Sequence, residues 1–349
     1  MYRPWSSSVL SQSLSQHLNG EIPILDLELT RKCSHKTCVY CDSVVGDADK
    51  NELSIKDYNR LISDSKKLGV QWVHICGLGE PSDYANFIDF VGLLNNHDIK
   101  LSFFTNGLNL SKDVIDFLYQ SNACLIVKMD SFDEKTFDKV LGQKQSARTI
   151  YKTIDYLVNS NYPRMDSYGN TNLAFSIVPT SLTLHEIPEI VKYCLKNNIF
   201  PSIGALEYAG KGKNVYDELM IPPDQLKTLK EKVSEILGYE YYRPVCPSIF
   251  TGVHIDNVGH CIVHKKTGLN CGWFLLSDPE YKTLGNIKEK NICELNSLVF
   301  EYRRNRMEIT LELLAQQQKL VFGGCGGNAS DILNNYVKTI QSPHLRQSN

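Results

Sequence analysis

From residue 22 to about 207 the chain alternates short apolar runs with amphipathic stretches. The runs Ile22–Leu29, Trp72–Cys76, Leu101–Thr105, Cys124–Met129, Leu173–Val178 and Ser202–Glu207 have the length and unbroken apolar character of buried strands. Between them, Ile55–Leu68, Tyr84–Asn95, Lys112–Gln120, Ala147–Ser160 and Leu184–Asn197 repeat apolar residues at three- and four-residue steps, as at Tyr58, Leu61, Ile62 and Leu68. That period predicts helices that bury one face. Strands separated by helices predict parallel βα units and hence an α/β fold. Six units in this span suit a partial (β/α)6 barrel and are too few for a closed eightfold one. A doubly wound open sheet fits the same alternation. In both, the reactive face lies at the carboxyl ends of the strands.

The pattern divides the chain into a polar lead-in over 1–21, the barrel over 22–215, a linking helix over 216–239 and a smaller region over 240–349. Pro222-Pro-Asp224 is the start signal of the linking helix. The last region holds short strand-like pieces such as Val253–Ile255, a turn at Asp256-Asn-Val-Gly259 and a helical tail with Leu311–Leu320. A net charge of −2 gives no polycationic face on average, so no nucleic-acid partner is implied. No apolar run reaches the ~20 residues that span a bilayer. With no secretory signal at the N-terminus, the expected location is cytoplasmic and no membrane partner is implied.

Eleven cysteines are too few for a disulfide scaffold, and their number is odd. Seven fall into two groups: Cys33, Cys38 and Cys41, then Cys246, Cys261, Cys271 and Cys325. Such clustering favours metal or redox ligation. Cys76, Cys124, Cys194 and Cys293 read as small buried hydrophobes, with Cys293 a spare ligand. The first group occupies a loop at the end of the first strand, Cys33-Ser-His-Lys-Thr-Cys38-Val-Tyr-Cys41. Three thiolates there can hold an iron–sulfur cluster that leaves one iron open. The same triplet can supply three of four zinc ligands. His35, His74, His254, His260 and His264 read as packing or surface histidines, and Lys211 and Lys213 as part of a solvated loop.

The cysteine loop resembles the cluster motif of the radical S-adenosylmethionine superfamily, with four residues in the first gap where most members have three. Further segments resemble the family in the same order. Gly77-Leu-Gly79-Glu80-Pro81 is similar to the turn that binds the methionyl amino group, and glycine there allows close backbone approach. Thr105-Asn106-Gly107 follows the third strand. Lys128-Met-Asp130-Ser131 resembles residues at the ribose and carboxylate, and Glu207-Tyr-Ala-Gly210 an adenosine-side segment. Tyr40 matches the aromatic position beside the adenine.

The resemblance implies a catalytic [4Fe–4S] cluster on Cys33, Cys38 and Cys41, and S-adenosylmethionine bound by Tyr40, Gly77, Gly79, Glu80, Pro81, Thr105, Asn106, Asp130, Ser131 and Glu207. It implies reductive cleavage to methionine and a 5′-deoxyadenosyl radical that takes hydrogen from a substrate. An external one-electron donor, flavodoxin- or ferredoxin-like, is implied with it. Cys76, Cys124 and Tyr208 are candidates to return a hydrogen atom. The late cysteines resemble a SPASM or twitch extension, implying one auxiliary [4Fe–4S] cluster on Cys246, Cys261, Cys271 and Cys325. If one of the last two is instead a buried thiol, that cluster keeps an open iron. Relatives of this architecture modify ribosomally made peptides by cross-linking, epimerisation or oxidation. Others are dehydrogenases or cyclases of small molecules such as sugars and aminocyclitols. A metal-binding interaction protein without catalysis is the reading from another class.

Overall fold

A computed structural model describes residues 3–4, 16, 21–42, 45–75, 77–241, 252–265 and 281–306. Six parallel strands form the barrel: β1 (Ile24–Leu27), β2 (Trp72–Ile75), β3 (Lys100–Thr105), β4 (Cys124–Lys128), β5 (Leu173–Ile177) and β6 (Phe200–Ile203). Each pairs with the next in sequence, so their spatial order is their chain order. A doubly wound sheet reverses its winding at a switch point. No reversal occurs here. Right-handed crossovers then place every helix on one face and curl the sheet into a partial barrel.

The helices follow their caps. In α1 (Ile55–Lys67), Ser54 accepts from the Asp57 amide while the Asp57 carboxylate accepts from the Ser54 amide. Helix α2 spans Phe87–Asn96, after a short 3₁₀ turn over Pro81–Asp83. Ser111 caps α3 (Lys112–Gln120), and Asp133 caps α4 (Glu134–Leu141), a helix the periodicity did not predict. Helices α5 (Ser146–Asn159) and α6 (Ile187–Lys196) complete the outer layer. Their buried faces join one continuous core with the strands.

Two boundaries differ from the sequence expectation. The sixth strand is Phe200–Ile203, not Ser202–Glu207. Pro201 lacks an amide hydrogen, but β6 ends the sheet, so no ladder bond is lost. Residues 204–207 leave the sheet as a loop over the strand ends. The lysine–glycine stretch expected to be a solvated loop contains α7 (Gly212–Leu219), ahead of α8 (Pro223–Leu237).

The region after 240 joins the same sheet. Strand β7 (Val253–Ile255) pairs in parallel with β1, and β8 (His260–His264) and β9 (Tyr281–Asn286) continue it antiparallel. Helix α9 (Ile292–Arg304) buries Leu295 and Val299 in the barrel's own core. Among the described residues no helix is long and apolar enough to cross a membrane. Cys76, Cys246, Cys271, Cys325 and Leu311–Leu320 lie outside the described residues.

Candidate active site

The cysteine loop follows β1 and is fixed by backbone bonds to four other segments. The Gly46 amide donates to the Arg31 carbonyl at 3.0 Å and the Glu80 amide to the Lys32 carbonyl at 2.8 Å. Val39 donates to Val140 at 3.1 Å, and Lys211 to Cys41 at 2.8 Å. His35 Nε2 and Thr37 Oγ1 both donate to the Leu141 carbonyl, at 3.0 and 2.8 Å. Burial lowers the His35 pKa, so its ring is neutral and acts as a brace for the loop.

Gly142 makes this docking feasible. It closes α4 in the left-handed region, at φ +71°, and a Cβ there would stand 2.1 Å from the Thr37 carbonyl oxygen. Gly238 has nearly the same φ, +73°, with nothing within 4 Å of its Cβ position. Gly142→Ala should therefore cost more than the roughly 1–2 kcal/mol of left-handed backbone strain, and Gly238→Ala that strain alone. Denaturant midpoints check the difference, and iron retention after reconstitution should fall only in Gly142→Ala.

A solvent-open cavity opens at the carboxyl ends of the strands. Cys33, Cys38, Cys41, Tyr40, Gly77, Gly79, Glu80, Thr105, Asn106 and Glu207 all line it. Cys33 and Cys38 are free thiols. Burial, then the charge of Glu80, pushes Cys33 up to about 12, and burial pushes Cys38 up to about 11. Both hold their protons until a cation displaces them. Among the described residues no three His, Cys, Asp or Glu side chains converge on a single ion. A triplet spread around a cavity suits a multi-iron cluster better than the tight tetrahedron of a lone zinc.

Glu80 ties two strand ends together. Its Oε1 accepts from Thr105 Oγ1 at 2.7 Å and Ser82 Oγ at 2.8 Å, and its Oε2 from the Asn106 amide at 2.7 Å. Desolvation raises its pKa, partly offset by these bonds, so the carboxylate is primed for a cationic group. Gly79 permits the approach: at φ +71° its Cβ would stand 2.2 Å from the Thr30 carbonyl.

Lys128, singled out within the Lys128–Ser131 segment but not placed in the expected S-adenosylmethionine-binding set, lines the same cavity. Its Nζ lies 2.8 Å from Asp130 Oδ2 and 2.7 Å from the Tyr40 hydroxyl, and 4.4 Å from the centre of the Tyr40 ring. Burial opposes its charge, but Asp130, then Tyr40 and Cys38, outweigh it and hold Lys128 well above the usual lysine value. The cavity thus carries a fixed cation opposite the Glu80 anion. The inner wall adds Phe104, Ile126, Ser176 and Val178, also unpredicted. The signal available was the two-residue step Ile126–Lys128 and Ser176–Val178 at the strand ends, which puts each pair on one face.

Other expected residues stand back from the cavity. Asp130 is fully buried behind Lys128 and accepts from the Tyr40 hydroxyl at 2.5 Å and the Val178 amide at 2.8 Å. Ser131 donates to Glu186 at 2.6 Å, and Pro81 opens the 3₁₀ turn. Cys261 is fully buried in the core on β8, where burial pushes its thiol up to about 12.

Residues 27–194 match the radical SAM superfamily. The chain carries a radical SAM domain. It is 27% identical over 206 residues to the mycofactocin maturase MftC of Mycolicibacterium smegmatis, covering 59% of this chain and 50% of that protein. It is 28% identical over 166 residues to the GTP 3′,8-cyclase of Shewanella denitrificans, covering 46% and 48%. The chain spans about half the length of the curated relatives it matches. Among solved structures, Streptococcus suis SuiB bound to its precursor peptide SuiA aligns with a TM-score of 0.54 at 19% identity, over 84% of this chain and 69% of SuiB. At that identity the likeness is one of fold.

Proposed function

We propose that this protein binds a [4Fe–4S] cluster on Cys33, Cys38 and Cys41 together with S-adenosylmethionine, and modifies a ribosomally made peptide. The observation that carries it is one cavity walled by Cys33, Cys38 and Cys41, the Gly77–Glu80 turn and the Lys128 cation. The donor set fits: three sulfurs for iron, a desolvated carboxylate for an ammonium, and an ammonium for a carboxylate. When bound, the cluster and S-adenosylmethionine supply one-electron cleavage of the sulfonium and hydrogen abstraction from substrate. The protein's part is position and exclusion of water. Glu80, Thr105 and Asn106 fix one end of the ligand, Lys128 with Tyr40 and Asp130 the other, and Phe104, Ile126 and Val178 form a dry inner wall.

The peptide substrate is supported by the maturase and the SuiB likenesses. The GTP 3′,8-cyclase likeness supports the alternative, a small-molecule substrate. An electron donor, an oxidoreductase outcome and an auxiliary cluster using Cys246, Cys261, Cys271 and Cys325 belong to the same proposal. Anaerobic reconstitution followed by dithionite and S-adenosylmethionine should release methionine and 5′-deoxyadenosine. No release from protein with its iron intact overturns the enzyme. Mass spectra of a co-expressed precursor peptide should show a mass change, and an unchanged peptide overturns that substrate class.

A further inference from the structure

Strand β7 reaches the cofactor cavity through two buried residues. In its register with β1, Leu25 lies opposite Val253, Asp26 opposite His254 and Leu27 opposite Ile255. Alternation puts His254, Asp26 and Glu28 on one face, which His74 and Ser102 continue across β2 and β3. Phe104, two residues beyond Ser102, lines the cavity, so this face is the barrel interior. His254 Nε2 lies 3.2 Å from Glu28 Oε1, with 0% and 3% of the two residues exposed. Burial opposes a charged His254, but the hydrogen bond and charge of Glu28, then Asp26 and Asp256, raise its pKa.

Glu28 in turn packs against the cofactor turn. Gly77 has φ +113°, and a Cβ there would meet Glu28 Oε1 at 3.0 Å and its Cγ at 3.3 Å. The carboxylate therefore lies directly against the Cα of a residue that lines the cavity. A parallel chain of bonds runs from Asn257. Its carbonyl accepts from the Leu53 amide at 2.8 Å, and its Nδ2 donates to Glu52 Oε1 at 3.4 Å. That same oxygen accepts from Thr30 Oγ1 at 2.7 Å and the Arg31 amide at 3.1 Å, at the root of the cysteine loop.

We infer that Glu28 and His254 are positioning residues for the Gly77–Glu80 turn, so that the segment beyond residue 252 is built into the S-adenosylmethionine site. The inference rests on the proposed function. A buried carboxylate stays in place only while paired. Replacing His254 leaves the Glu28 carboxylate unpaired against Gly77, and replacing Glu28 removes the charge that holds His254 in place.

The test is S-adenosylmethionine binding by equilibrium dialysis on the reconstituted full chain, with iron content measured on the same samples. Glu28→Gln and His254→Gln should each weaken binding about tenfold, or about 1.4 kcal/mol, with iron unchanged. The double variant should lose no more than the worse single one, because the pair acts as a unit. His74→Gln is the control: His74 is buried on the same face, and its ring bonds Ser102 Oγ at 3.2 Å rather than Glu28. Unchanged affinity in the Glu28 and His254 variants, or an equal loss in His74→Gln, overturns the inference. If His254→Gln does not fold, Glu28→Gln decides alone. Failure of the parent protein to bind S-adenosylmethionine would instead reject the proposed function.

Discussion

Replacing Cys33, Cys38 and Cys41 together with Ala should reduce 5′-deoxyadenosine release to that of a protein-free control. It should also remove about four irons per chain. Two other potential iron donors among the described residues lining the cavity, His35 and Glu80, are already engaged. His35 is committed to the Leu141 carbonyl, and both Glu80 oxygens already accept from Thr105, Ser82 and Asn106. The loop should survive the change, because its anchors at Gly46, Val39, Cys41 and Lys32 are main-chain bonds. A triple variant that still cleaves the cofactor places the chemistry elsewhere. Iron analysis gives an independent reading: about eight irons in the parent and about four in the variant would support two separate clusters.

The second large effect belongs to Glu80. Glu80→Gln should weaken S-adenosylmethionine binding by roughly 10–100-fold, because it removes a desolvated charge and sets an amide beside the Asn106 N–H. Thermal stability should change little. Glu80→Ala should lose binding and stability together, because it strands buried donors at about 1–3 kcal/mol each. The pH response separates the two roles further. Burial raises the Glu80 pKa, so the folded state holds this proton more tightly than the unfolded chain. The Glu80 contribution to the stability of the cofactor-free protein is therefore fully present below the ordinary carboxylate value and is lost as pH rises through the raised one. Glu80→Gln should remove that slope. Urea midpoints measured across the carboxylate range decide it, and an unaltered slope would exclude Glu80 as its source.

Much of this architecture is legible in the residues. Ser54 with Asp57 and Ser111 announce their helices, and the six apolar runs mark the strands. The choice between a curled and a doubly wound sheet was not legible, because periodicity reports which face is buried and not which strand lies beside which. Strand β6 shifted because Pro201 argues against a strand except at an edge, and edge position is a tertiary fact. Helix α7 escaped notice because Gly212 is a poor helix former, although a Cβ at this first helical residue would stand 2.5 Å from the Glu207 carbonyl. The cysteines and Glu80 could be singled out from motifs. Glu28 and His254 could not, since their pairing joins segments separated by most of the chain.

The sequential strand order has a consequence for how the protein is made. Each βα unit can settle on its predecessor as the chain emerges, so β1 to β6 assemble through near-neighbour contacts. Pairing of β7 with β1 must wait for a closure across more than two hundred residues, the slowest kind of contact to form. Until then one side of β1 is bare, and the bond from Asn257 toward the cysteine loop is missing. A nascent chain of this protein therefore gains this support for its cysteine loop only once residue 257 has been synthesised. Truncation from the carboxyl end would strike assembly before it struck chemistry.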